Sequence, residues 1–112
     1  MSLMVLNGQE MVRYNPTANT IEYSNRGTTW FKRCNCSGMG TIRALTMHKG
    51  EILLCSDRGV YFSKNGGCTW FMRDPNDKEF TDIQSMGNEV MGITSDGRVY
   101  VSSNGFCWFR RK

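Results

Sequence analysis

One tryptophan position, filled three times at a fixed spacing, constrains this chain more than any other feature. The segments 21–33, 60–73 and 99–111 read I-E-Y-S-N-R-G-T-T-W-F-K-R, V-Y-F-S-K-N-G-G-C-T-W-F-M-R and V-Y-V-S-S-N-G-F-C-W-F-R-R. Ser24, Ser63 and Ser102 stand 39 residues apart in both steps. Each leads to a glycine and then to Trp-Phe-x-Arg, so that Trp30, Trp70 and Trp108, the three tryptophans of the chain, share one repeat position. The likeness continues upstream: 50–57 matches 88–96, 42–47 matches 80–85, and 9–15 and 2–6 supply shorter first versions. The copies, about 1–37, 38–76 and 77–112, fill a single domain and leave no linker.

Each copy reads as four short strands, in the second copy Thr41–Met47, Glu51–Ser56, Gly59–Ser63 and Thr69–Arg73. Turn residues separate them: His48-Lys49-Gly50, Asp57-Arg58-Gly59 and Lys64-Asn65-Gly66-Gly67. Asp96-Gly97 and the Asn-Gly pairs provide the positive φ that tight hairpin turns need. A four-stranded antiparallel sheet recurring every 39 or so residues is the pattern of a β-propeller blade.

Ser63-Lys64-Asn65-Gly66-Gly67-Cys68-Thr69-Trp70 resembles the Asp-box of sialidase-type (BNR) repeats, Ser-x-Asp-x-Gly-x-Thr-Trp, with Asn65 in the place of the aspartate. The boxes beginning at Ser24 and Ser102 are each one residue shorter. The resemblance implies an all-β propeller, with the box as a structural turn between third and fourth strands, on the face away from the usual binding site. Catalytic relatives use an arginine cluster, a tyrosine–glutamate pair and an acid, which do not map residue by residue onto this chain. An enzyme is therefore not expected.

Three blades do not close a ring, since propellers have about four to eight, and each blade face needs a neighbour. The expected assembly is a homodimer forming a six-bladed ring. The leading Met and the complete third box suggest a whole small gene product.

The rest of the sequence restricts the chemistry. Five cysteines, an odd number without a signal-like start, fit reduced thiols and a cytoplasmic location better than a disulfide framework. Cys34 and Cys36 with one histidine, His48 in a turn, make a poor zinc set, so no metal and no cofactor are expected. No stretch is apolar enough to span a membrane as a helix. A net charge of +4, with no long basic run, favours small anionic partners over nucleic acid. If the box turns mark the lower face, Arg13, Arg43, Arg58 and Arg98 gather near the upper rim, with Asp57 and Asp96 to orient them or accept ligand hydroxyls. The expectation is a non-catalytic propeller that binds or sequesters an anion such as a nucleotide, as a phage-type protein would. The alternatives are an interaction or assembly module, for example a phage particle component, and lectin-like glycan binding.

Overall fold

The computed structural model describes residues 3–75 and 78–111. The expected boundary between the second and third copies, at 76 and 77, lies outside the described residues, as do Ser2 and Lys112. Three four-stranded antiparallel sheets make up the described chain, which is all-β. Sheet 1 holds β1 (Met4–Asn7), β2 (Glu10–Asn15), β3 (Thr20–Ser24) and β4 (Phe31–Asn35). Sheet 2 holds β5 (Ile42–His48), β6 (Glu51–Ser56), β7 (Gly59–Ser63) and β8 (Phe71–Pro75). Sheet 3 holds β9 (Phe80–Ser85), β10 (Val90–Thr94), β11 (Val99–Ser102) and β12 (Phe109–Arg110). Strands pair in chain order, as short hairpin turns dictate.

Sheet 2 lies between the other two, because its strands are apolar on both faces. Ile52, Leu54 and Tyr61 meet Val5, Val12 and Ile21 of sheet 1 and Cys36, just after β4. Leu53, Cys55 and Val60 meet Phe80, Ile83 and Val90 of sheet 3. Trp70 packs into the first cluster and Trp108 into the second.

The Ser-Asn-Gly turns are built by their own side chains. The backbone N–H groups of Gly27, Gly67 and Gly105 donate to Ser24, Ser63 and Ser102 Oγ at 2.7, 2.9 and 2.8 Å. Asn65 Oδ1 accepts from Thr69 N, and Asn104 Oδ1 from Cys107 N, as an aspartate would. These bonds hold residues 68–70 in the turn, so β8 begins at Phe71 rather than at Thr69.

His48 is not a turn residue. It ends β5, is 3% exposed, and bridges to sheet 3. Its Nε2 donates to the Ser103 carbonyl at 3.0 Å, and its Nδ1 shares a hydrogen bond with Ser85 Oγ at 2.8 Å.

Gly92 makes room on sheet 3 for the Phe80 ring. It holds the position of Leu54 in the neighbouring copy, and a Cβ there would stand 2.5 Å from Phe80 Cε1. Phe80 is itself wedged against Tyr100 and Trp108, with ring centroids 5.7 and 4.6 Å away. Gly92→Ala should cost about 1–3 kcal/mol by overpacking. Adding Phe80→Leu should recover part of that loss in a urea melt, and an additive double mutant would place the strain elsewhere.

Candidate functional site

Antiparallel connectivity puts the box turns at one end of each sheet. The β2–β3, β6–β7 and β10–β11 turns and the inter-sheet connections lie at the other, upper end. A cavity of about 430 Å³ opens there between sheets 2 and 3, lined by Arg43, Asp57, Glu79, Thr81 and Ser95.

Two β-bulges create it. In β5 the register passes from Ile42↔Ser56 to Ala44↔Cys55, which leaves Arg43 as the extra residue. In β9 it passes from Asp82↔Ile93 to Phe80↔Thr94, which leaves Thr81 as the extra residue. A bulge re-aims the side chain it carries, and both of these line the cavity. Arg43 Nη1 donates to the Phe80 carbonyl at 2.9 Å, and Thr81 Oγ1 to the Ile93 carbonyl at 3.1 Å.

Asp57 ties the β6–β7 turn to the connection before β5: its Oδ1 accepts from Thr41 N at 2.8 Å. Gly40 makes that contact possible. At φ +80°, a Cβ would stand 2.0 Å from Asp57 Oδ1 and 2.9 Å from Arg58 Cγ. Any side chain at Gly40 would therefore displace the carboxylate. Glu79, on the connection into β9 with φ 56°, brings the second carboxylate to the cavity.

Of the six candidate residues, the cavity unites Arg43 and Asp57. Arg58 turns aside and donates to the Gly38 carbonyl at 3.1 Å. Arg98 grips Asp96 through Nε, at 3.0 and 3.1 Å, and donates to Tyr100 OH. Hydrogen bonds from the Thr94 hydroxyl and from Arg98 hold the exposed Asp96 carboxyl down at about 2, so it keeps its charge and cannot donate a proton near neutrality. Arg13 lies on β2, where it donates to Glu22 Oε1 at 2.9 Å and covers the Trp30 ring at 4.0 Å. Glu79, Thr81 and Ser95 were not among the candidates. The signal for Thr81 was its match to Arg43 in the copy alignment.

Other groups offer less to a reaction. Burial pushes the Cys36 and Cys55 thiols up to about 12, which keeps them protonated and inert. Among the described residues no group of three His, Cys, Asp or Glu side chains gathers as a metal site.

No family model matches the chain. Over 111 residues it is 29% identical to a xyloglucanase from Paenibacillus sp, a match that takes in 93% of this chain and 11% of that protein. The chain thus spans about a tenth of the relative's length. This similarity overturns the expectation that the chain is not an enzyme, because the relative's name is that of a glycoside hydrolase. A sialidase-like catalytic set does not map residue by residue onto this sequence, but glycoside hydrolysis generally needs two well-placed carboxyl groups.

Proposed function

We propose that this chain is a sialidase-type repeat propeller segment that acts on carbohydrate, and that the upper cavity between sheets 2 and 3 holds a neutral glycan. The carrying observation is the lining of that cavity: two carboxylates, one arginine and two hydroxyls. Carboxylates accept from sugar hydroxyls, and arginine and hydroxyl groups donate to them. Two acids against one arginine make a poor seat for an anion. The similarity to a xyloglucanase supports the choice of a polysaccharide, and the three box turns support the propeller. Hydrolysis at this place runs through Asp57 and Glu79, one protonating the glycosidic oxygen and the other serving the anomeric carbon or the attacking water.

The test is titration calorimetry with a xyloglucan oligosaccharide, alongside an assay for released reducing ends. Glu79→Gln and Asp57→Asn should each cut turnover by about 10²–10⁴-fold, the usual worth of a general acid or base. The side-chain amide introduced by Asp57→Asn would still present an oxygen to Thr41 N, so the connection should keep its shape. Should neutral glucans leave the protein silent while nucleotides or other anions bind, with affinity unchanged in both variants, the glycan reading is wrong.

A further inference from the structure

The two contacts between sheets share a device. Glu10 holds Arg33 through both carboxylate oxygens, and Arg33 Nη1 donates to the Gly66 carbonyl in the box turn of sheet 2, at 3.1 Å. Glu51 holds Arg73 at 2.7 and 2.9 Å, and Arg73 Nη1 donates to the Asn104 carbonyl in the box turn of sheet 3, at 3.0 Å. Both arginines are the last residue of a Trp-Phe-x-Arg run. Both are also extra residues at a bulge: Ile21↔Cys34 passes to Glu22↔Lys32, and Val60↔Asp74 to Tyr61↔Met72. Sheets 1 and 2 thus each carry a latch that closes on the carbonyl preceding the box glycine of the next sheet.

Sheet 3 carries the same latch with nothing among the described residues to close on. Glu89 and Arg111 hold the equivalent positions, but they stand 3.7 Å apart with side chains 47% and 60% exposed. Sheet 1, at the other end, presents the matching turn already formed, with Gly27 N bonded to Ser24 Oγ and Arg26 as the residue before the glycine. The two end faces also keep apolar residues where the middle sheet buries them. Ile93, at the position of the fully buried Cys55, is 39% exposed, and Met4, at the position of Leu45, is 49% exposed.

We propose that the open face of sheet 3 docks on the open face of sheet 1 of a second copy of this chain, with Arg111, held by Glu89, donating to the backbone carbonyl of Arg26. The occupant follows from continuity: the face that sheet 1 leaves uncovered is the one that sheets 2 and 3 each offer to their predecessor. Two such contacts join two chains into a closed ring of six sheets, which rests on the propeller reading above. Closure leaves no latch open and no box turn unmatched.

Sedimentation of the 112-residue chain across the micromolar range tests this. The expected species has twice the monomer mass of 12.8 kDa. Arg111→Ala and Glu89→Gln should each weaken association by about a hundred- to ten-thousandfold, because the ring contains two such contacts and each loses the worth of one charge-assisted hydrogen bond. Circular dichroism should stay unchanged, because neither residue packs inside a monomer. Arg110→Ala, on the adjacent exposed residue, should leave association as it was. A monomer at every concentration overturns the proposal and assigns the open faces to further repeats of a longer chain. A dimer indifferent to Arg111 overturns it too. No sugar enters this measurement, so either failure leaves the cavity reading to its own titration.

Discussion

Leu53→Ala and Leu54→Ala should each lower the unfolding free energy by about 3–4 kcal/mol, from opposite sides of one strand. The two residues are neighbours in β6, and both are fully buried. Alternation along a strand sends them to opposite faces. Leu54 enters the cluster shared with sheet 1, and Leu53 the cluster shared with sheet 3. Truncation leaves a cavity in each case, and neither cluster can collapse freely because a hydrogen-bonded sheet backs it. Losses of this size are a large part of the stability of a small domain. Urea melts should show a lower midpoint with an unchanged slope. Hydrogen exchange should then separate the pair: Leu54→Ala should loosen β2 and β3, and Leu53→Ala β10 and β11. A cost under about 1 kcal/mol for either would mean that its sheet contact is not a packed core.

The strands were readable because three copies of one pattern check each other. Glu51–Ser56 and Gly59–Ser63 occur where the alternation and turn residues place them. Features that depend on a break in alternation were not readable. Arg33, Arg43, Arg73 and Thr81 all sit at bulges, and a period of two says nothing about where an extra residue will point. The Trp-Phe-x-Arg repeat drew attention to its arginines, yet their partners, Glu10 and Glu51, lie more than twenty residues upstream. His48 was assigned to a turn because His-Lys-Gly is turn chemistry. Its ring extends β5 by one residue because Ser85 and the Ser103 carbonyl, contributed by sheet 3, satisfy both nitrogens. Glu79 lies in a connection outside the regular copy pattern, where no periodicity could single it out. Arg43, Arg58 and Arg98 stand toward the end of the sheets away from the box turns, whereas Arg13 lies within β2 over the Trp30 ring. A rim position does not imply a shared cavity: Arg58 and Arg98 each found a local partner first.

Arg73→Ala is expected to cost about 2–4 kcal/mol, because it removes three interactions and strands two acceptors. The guanidinium pairs with both oxygens of Glu51, donates to the Asn104 carbonyl, and lies 3.8 Å over the Phe62 ring. Both charged side chains are mostly covered, at 16% and 18% exposure, so water cannot fully replace the lost partner. Arg33→Ala, with the same contacts to Glu10 and the Gly66 carbonyl and with Tyr23 beneath it at 3.7 Å, should behave alike. In a monomer, Arg111→Ala should change stability by less than about 0.5 kcal/mol, since its latch is open. Acid separates this account from simple loss of packing. The hydrogen bond from Arg73 holds the Glu51 carboxyl below its ordinary value of 4.5. A depressed folded pKa stabilises fully above the unfolded value, and that stability fades as pH falls through the folded one. The stability gap between wild type and Arg73→Ala should therefore be widest near neutrality and narrow as pH falls below about 4.5, the ordinary value for Glu51. A gap that stays constant on acidification would show that Arg73 acts through its contact with Phe62 rather than through its charge.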